Sequence, residues 1–588
     1  MNPFKHIIAE WMLQALQEVY NASEWTCSTL EHLIEQPPDP ELGDYAFPCF
    51  SFARVLRNAP VRIAQALAES LNSAVENSDA FIRVKAVGPY LNFHVSMPFM
   101  AQITLPRIAD GSYFKEAQKT VRERVMVEYS QPNTHKGFHV GHIRNVVLGN
   151  SLCKIFKYNG FDVLGVNYIG DVGTHIAKCL WYYLNENETP VPTENRGEWL
   201  GSLYTASIQK LSNLEGEDAE KAQKQVSELL RLLESKDPET LQIWNETRQW
   251  SLDAFDEIYE WLGVHFDTVF YESEVDEEGK AVVLQGLEEG VFQRSEGAIG
   301  IDLEEAGLGF FLLLKSDGNT LYSTKDIALA QKKFKDYKID RSVYVVGSEQ
   351  ILHFKQVFET LKRMGLAQAD SCFHLPYALV SLPSGKMSSR AGNVILFSEM
   401  REAMRSYIYS NYFEDGHEDW SQDEIECTAH KIAVAAIKYG MLSQAPNKGI
   451  VFLMEDWLTS EGDTGSYLIY AYVRIRSICR KINENPESLA KTNLNFDLLA
   501  HANEQALIRR LFDFNQVVWN AGEQYKTSLL ARNLYELARD FSRAYSTCSV
   551  KHAESPELQS VRLLLFHCVA ESLAQGLDLL GITPPERM

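Results

Sequence analysis

A chain of 588 residues exceeds what one hydrophobic core can organise, because cores stop growing near ~250–300 residues, so three or four domains are expected. Its 45% apolar and 23% charged residues exclude a disordered chain, a collagen and a disulfide-stapled mini-protein. The net charge of −23 is unevenly placed: residues 201–300 hold 22 Asp/Glu against 8 Lys/Arg, whereas 455–588 hold 17 against 14. The acidic body therefore repels nucleic acid in general while leaving local surfaces open to a chosen one.

No apolar run approaches the ~18–20 residues of a membrane span. The N-terminus reads as an amphipathic helix, with Ile7, Ile8, Trp11, Leu16 and Val19 at helical spacing, rather than as a signal peptide. Nine cysteines without a C-x-x-C pair read as reduced thiols of a cytoplasmic protein, with no clustered zinc site and no metal ligands assigned.

Residues 1–115 are expected to form an α+β unit. The opening helix is followed by a Pro37-Pro38-Asp39-Pro40 bend, a Gly43-Asp44-Tyr45 turn, a helix near 62–71 and strands at 81–87 and 90–95. Asp110-Gly111-Ser112 reads as a linker. From Arg122 to about 455, strands at 125–129, 162–169, 342–346 and 378–382 alternate with helices at 143–158 and from Thr174. That alternation predicts a doubly wound parallel sheet, within a multidomain α/β fold. The stretch at about 190–300 is read as an acidic helical insertion with a solvated face. From 456 to 588, periodic segments near 464–482, 504–522, 529–545 and 557–580 predict an all-α helical bundle.

Two segments carry chemistry. After the first strand come Glu128-Tyr129-Ser130-Gln131-Pro132-Asn133-Thr134-His135-Lys136-Gly137-Phe138-His139-Val140-Gly141-His142. A helix starting at His139–His142, at the carboxyl edge of a parallel sheet, offers unpaired N–H groups and a dipole to an anion. Two imidazoles three residues apart donate from one face, and Gly141 admits a nucleotide to the backbone. Structural histidines or a partial metal site would produce the same spacing. The second segment, Pro383-Ser384-Gly385-Lys386-Met387-Ser388-Ser389-Arg390-Ala391-Gly392-Asn393, is a basic Gly/Ser loop able to close over a triphosphate. Read alone, such a loop is more often a solvated turn. No Walker P-loop and no dinucleotide fingerprint is present.

Together, His-Val-Gly-His and Lys-Met-Ser-Ser-Arg resemble the paired signatures of class I aminoacyl-tRNA synthetases. With Asn167-Tyr168-Ile169-Gly170-Asp171-Val172-Gly173-Thr174 and the terminal Pro585-Glu586-Arg587-Met588, the chain is similar throughout to the arginyl-tRNA synthetase family. The resemblance implies an arginine–tRNA ligase, with ATP as substrate, Mg²⁺ on its phosphates, L-arginine and tRNA(Arg) as partners, and activation that depends on bound tRNA. A monomer without DNA or membrane contact is expected.

The resemblance also implies roles. His139, His142, Lys136 and Lys386 would be catalytic, and His139, Gly141, His142, Lys386, Met387, Ser388 and Ser389 would bind ATP. Glu128, Asn133, Tyr322, Asp326 and Gln350 would bind arginine, with Asp326 on the guanidinium and Glu128 nearer the ammonium. Tyr467, Tyr470, Arg474 and Met588 would contact the anticodon, and Tyr90 and Asn92 the tRNA elbow. Arg390 stands where the family's loop has a second lysine, with Lys136 compensating. Val172 and His175 replace the usual tryptophan and glutamine. A catalytically silent tRNA-binding paralogue, another class I synthetase and a small-molecule nucleotidylyltransferase are the rival readings.

Overall fold

The computed structural model describes residues 2–37, 39–116, 122–386 (Lys386 by its backbone), 394–414, 419–482 and 484–588. These fall into two compact units. One comprises Met1–Tyr113, Cys479–Asp513 and Asp540–Glu571, and the other Phe114–Ile478, Phe514–Arg539 and Ser572–Met588.

In the first unit the opening helix is Pro3–Tyr20, capped by Asn2, whose side chain accepts the N–H groups of Phe4 and Lys5. Three strands, β1 (Tyr45–Pro48), β2 (Phe81–Val87) and β3 (Tyr90–Val95), form an antiparallel sheet in the order β1-β3-β2. The two β2 and β3 spans match the alternation in the sequence; β1 is an additional strand beyond the expected turn. Gly43 makes that turn at φ 130°, and a Cβ there would lie 2.8 Å from the Phe93 carbonyl, so only glycine fits. Phe4 centres the core, with the rings of Tyr45, Phe81, Phe99 and Phe512 within 6.1 Å of its own.

The second unit is built on β4 (Arg124–Glu128), β5 (Asp162–Ile169), β6 (Thr268–Tyr271), β7 (Gln293–Ser295), β8 (Ala298–Asp302), β9 (Phe310–Leu314), β10 (Arg341–Gly347), β11 (Cys372–Tyr377), β12 (Val380–Leu382), β13 (Gly385–Lys386) and β14 (Ile450–Val451). Five of these make a parallel sheet in the order β11-β10-β4-β5-β6, the doubly wound arrangement expected. The chain reverses its direction of travel across the sheet between β4 and β10, and the crevice beyond their carboxyl ends is where such sheets bind ligands.

Two expectations are corrected here. The strand expected at 378–382 shortens to β12, which lies outside the parallel sheet and pairs with β13 and β14. The fifth parallel strand is instead β11, whose Cys-Phe-His-Leu-Pro-Tyr sequence hides it behind a histidine and a proline. The acidic stretch is also not simply a solvated insertion. It contributes β6 to the sheet, and its helix Pro238–Leu262 buries Trp250, Phe255, Ile258, Tyr259 and Leu262. Acidic residues occupy the outward positions of that helix, so composition alone conceals its apolar face.

The C-terminal helices are Gly465–Lys481, Ala502–Glu523, Thr527–Thr547 and Pro556–Leu579, each within a few residues of its periodic segment. No helix among the described residues is long and apolar enough to cross a membrane.

Candidate active site

The segment leaving β4 departs from ordinary backbone geometry. Ser130, Gln131 and His135 have φ of 78°, 48° and 63°, a left-handed region that costs a non-glycine residue of order 1–3 kcal/mol. Side chains from elsewhere hold it there. Asn145 Oδ1 accepts the Ser130 N–H at 2.9 Å, Asn167 Oδ1 accepts the Gln131 N–H at 3.0 Å, and the Tyr259 hydroxyl lies 2.7 Å from Ser130 Oγ. Asn133 bridges to Gly170, where a Cβ would come within 2.5 Å of Asn133 Oδ1.

His135, buried completely, takes a structural role. Its Nε2 lies 2.9 Å from Thr247 Oγ1 and its backbone N–H donates to Ser251 Oγ, both on the helix Pro238–Leu262. Burial lowers its pKa to about 3. Asp171 is held by the same helix and the next: Arg248 Nε donates to it at 2.8 Å and Ser273 Oγ at 2.7 Å. The acidic stretch thus buttresses both motifs.

His139 caps the helix Val140–Tyr158. Its Nδ1 accepts the Gly141 N–H at 3.1 Å, while His142 Nδ1 accepts the His139 N–H at 3.2 Å. The rings lie 3.8 Å apart, centre to centre. Burial lowers the His139 pKa to about 4 and that of His142 well below its ordinary value, so both rings are neutral at pH 7. With each Nδ1 occupied as an acceptor, the proton resides on Nε2. The expectation of unpaired backbone N–H groups is corrected. The Val140 N–H donates to the Ile395 carbonyl, Gly141's to His139 Nδ1 and His142's to the His139 carbonyl. Among the described residues, the side-chain donors left at this helix end are therefore the two Nε2–H groups.

Lys136 lies 5.5 Å from the Tyr204 ring and close enough to both His142 and His175 to disfavour their protonation. His175 is buried, and its Nε2 has no hydrogen-bond partner among the described residues. Lys386 ends β13, and only its backbone is described. Met387, Ser388, Ser389, Arg390 and Asn393 lie outside the described residues. The chain beyond them returns to the first signature, since Phe397 N–H donates to the Phe138 carbonyl and His139 bridges Leu396. Arg144, also buried, donates to the carbonyls of Ala378, Ala445 and Pro446, tying this helix to the approach to β12.

The acids expected to take arginine gather at the same edge. Glu128 ends β4, opposite Tyr344 of β10. It is 3% exposed, pairs with the fully buried Lys333, and accepts a hydrogen bond from Gln131 Nε2 at 3.0 Å. Asp326 lies on the helix Tyr322–Tyr337, 2.6 Å from His353 Nε2. Tyr322, exposed, begins that helix, and Gln350, also exposed, follows β10.

A further carboxylate escaped the sequence reading. Glu272, buried just after β6, lies 3.3 Å from Lys325 Nζ, and its Oε1 comes within 3.3 Å of a Cβ built on Gly170. Burial pushes its pKa up to about 7, opposed by Lys325 and assisted by Asp326. The buried Tyr168 hydroxyl feels Asp326, Glu272 and Glu128 together and has no partner among the described residues. Lys333 and Glu272 carried no motif, Lys325 and His353 lay in the stretches around Asp326 and Gln350 without an assigned role, and their partners are too distant in sequence for spacing to reveal them.

Tyr467, Tyr470 and Arg474 share a face of the helix Gly465–Lys481. Tyr470 and Arg474 are exposed, with the guanidinium 5.9 Å from the ring, whereas Tyr467 packs half-buried against Tyr535. Met588 follows Arg587, which stacks on Trp420 at 4.2 Å and pairs with Glu424. In the first unit, Tyr90 is half-buried against Phe50 and Asn92 is buried in the central strand β3.

Three family models match the chain: the N-terminal domain of arginyl tRNA synthetase over residues 6–95, the class I (R) tRNA synthetase catalytic domain over 107–453, and the DALR anticodon binding domain over 468–588. The chain is 40% identical to an arginine–tRNA ligase of Bdellovibrio bacteriovorus, covering 94% of each, and 36% identical to one of Treponema denticola, covering 93% of each. Among solved structures it superimposes on the arginyl-tRNA synthetase of Thermus thermophilus with a TM-score of 0.79 at 27% identity, over 99% of this chain and 100% of that one. Histidine signature, acid-lined crevice and helical C-terminus agree with these likenesses, and the chain belongs to the arginyl-tRNA synthetase family.

Proposed function

We propose that the crevice beyond β4 and β10 carries out the family's reaction in two steps. The enzyme is an arginine–tRNA ligase, joining L-arginine to tRNA(Arg) at the expense of ATP, which leaves as AMP and diphosphate. In the first step the arginine carboxylate attacks the α-phosphorus in line and diphosphate departs. In the second, the ribose hydroxyl of the terminal adenosine, the 2′ group in this class, displaces AMP from the arginyl-adenylate.

The observation that carries this reading is the meeting of two opposite chemistries at one sheet edge. On one side His139 and His142 present Nε2–H donors fixed by their own backbone. Because both rings are neutral, they stabilise phosphate by directed hydrogen bonds, while net positive charge falls to Lys136 and Lys386. On the other side Glu128, Glu272 and Asp326 offer carboxylates to a cationic substrate. Glu128 already carries Lys333, so its free acceptor capacity suits a hydrogen bond to the α-ammonium. Asp326 and Glu272 suit the guanidinium, with Asn133, Tyr322 and Gln350 completing the pocket and the Tyr168 hydroxyl facing a polar ligand. Gly141, Met387, Ser388 and Ser389 are assigned to the nucleotide.

Mg²⁺ would neutralise the triphosphate. The crevice carboxylates are engaged with Lys333, Lys325 and His353, which fits an ion carried in on the nucleotide rather than one held by the protein. The proposed divisions are an N-terminal tRNA-elbow module at 1–115, the catalytic domain at 116–455 and an anticodon-binding domain at 456–588. Exposed Tyr470 and Arg474 suit stacking on unpaired bases, with Tyr467 and Met588 at their margins. Tyr90 is the elbow residue with accessible surface, and Asn92 supports its strand. The protein is proposed to act as a cytoplasmic monomer.

Arginine-dependent exchange of pyrophosphate into ATP, measured with and without tRNA, tests the reading. Exchange requiring both is expected. Exchange supported by a different amino acid would overturn the assignment of the acidic pocket, and silence with every amino acid despite tRNA binding would favour a paralogue that only binds.

A further inference from the structure

Among the described residues, one group of side chains could hold a metal ion, and it lies in the first unit, outside the crevice. His6 projects from the helix Pro3–Tyr20. Cys27 and Glu31 stand at i and i+4 on the helix Cys27–Leu33, on one face. All three are partly exposed, and a ligand atom from each lies within 4.8 Å of the others. We propose that His6 Nδ1, Cys27 Sγ and Glu31 Oε1 form a site for a zinc-class divalent cation.

The ligand spacing carries the argument. Tetrahedral zinc with bonds of ~2.3 Å to sulfur and ~2.0–2.1 Å to nitrogen and oxygen requires ligand–ligand edges of roughly 3.5–3.6 Å for each S–N or S–O pair and about 3.3 Å for N–O. Here Cys27 Sγ lies 3.7 Å from His6 Nδ1 and 3.6 Å from Glu31 Oε1. Two of the three edges therefore already fit. The third, His6 Nδ1 to Glu31 Oε1, is 2.6 Å, the length of a hydrogen bond. Rotating the Glu31 carboxylate to widen it by about 0.7 Å completes the triangle, and the cation replaces the proton that bridges the two atoms.

The remaining ring nitrogen supplies an independent observation. His6 Nε2 faces Glu10 Oε1 at 3.4 Å, and metal-bound histidines commonly donate their second N–H to a carboxylate, which fixes ring and tautomer. Both helices are well anchored: Asn2 caps the first, a Thr26–Thr29 capping box starts the second, and Phe4 and Leu30 are buried beneath them. Thiolate, imidazole and carboxylate together favour zinc over magnesium or calcium, which prefer all-oxygen shells. The exposed side leaves room for a water as fourth ligand. Binding moves the neutral His6 proton from Nδ1 to Nε2, where Glu10 accepts it, and turns the Cys27 thiol into a metal thiolate with one proton released to solvent; there is no redox change, and the cation clips the chain's first helix to its second.

The test is titration of the metal-free full-length protein with Co²⁺, whose spectrum reports sulfur ligation and geometry. A thiolate-to-cobalt charge-transfer band with visible tetrahedral bands, lost in Cys27→Ser, weakened about tenfold or more in His6→Gln and displaced by Zn²⁺, is expected. Zn²⁺ should also raise the thermal midpoint of the wild type and not of Cys27→Ser. A band that persists in Cys27→Ser would place the metal on another cysteine, and no band at all would leave a hydrogen-bonded triad; either overturns the site. Aminoacylation by Cys27→Ser at wild-type rate would confirm that folding is intact and that the metal lies outside the reaction.

Discussion

Buried carboxylates of the crevice, one of which (Glu272) comes from the acidic stretch itself, and exposed carboxylates of that stretch differ in nothing but surroundings. Glu228 and Glu277 of that stretch pair with Arg231 at 2.6 Å and Lys236 at 3.9 Å, with side chains 54% and 81% exposed. Water and salt screen such pairs until little stability remains in them. Glu128 and Glu272 are buried, each against one lysine. There the cost of removing a charge from water is large, and a missing partner is felt in full. A count of acids treats these groups alike; only their burial separates scaffold and site from solvated surface.

That contrast is broken most severely at Lys333. Lys333→Met leaves the Glu128 carboxylate buried without its cation, and unfolding in urea should show a loss of about 3–5 kcal/mol together with loss of pyrophosphate exchange. Stability that remained at the wild-type level would mean that the pair contributes nothing. Next, His142→Ala should slow adenylate formation about a hundred- to a thousandfold while tRNA affinity in a filter-binding assay stays nearly intact; parallel loss of both would remove its assigned role. Asp326→Asn should raise the arginine KM about ten- to a hundredfold, and unchanged arginine kinetics would exclude it from the pocket.

A smaller effect sharpens the comparison through pH. With a folded pKa of about 7 against an ordinary 4.5, Glu272 keeps a proton between those values that the unfolded chain has lost. Its contribution therefore favours folding below about 4.5 and is lost as pH rises through 7. If the guanidinium docks on Glu272 as proposed, it favours the ionised form, and arginine would expel the proton. The arginine KM should fall by up to about tenfold from pH 6 to pH 8, and Glu272→Gln should flatten that profile. Smallest of all, Glu228→Gln should leave both the thermal midpoint and the kinetics unchanged.

Local pattern was legible wherever the physics is local. The helix Thr527–Thr547 and the strand pair β2–β3 follow from periods of 3.6 and 2, and the His139–His142 spacing marks one helical turn. Legibility failed where long-range packing overrides pattern. β11 carries Pro376 and His374, and β6 sits inside a highly acidic stretch, so neither announces a strand. His135 and His139 are both histidines of one motif, yet Thr247 and Ser251, over a hundred residues away, make the first a buried strut.

Neighbours a few positions apart encode the paired signatures, the alternation of strands and helices, the helical C-terminus and the residue types proposed to meet ATP and arginine, so the chain alone made these legible. Tertiary structure alone decided which acids are buried and paired, that the signature histidines are neutral donors through Nε2, and that His6 meets Cys27 and Glu31. Those outcomes depend on desolvation and on partners as far as 205 positions away, as Lys333 is from Glu128, which no period or spacing encodes.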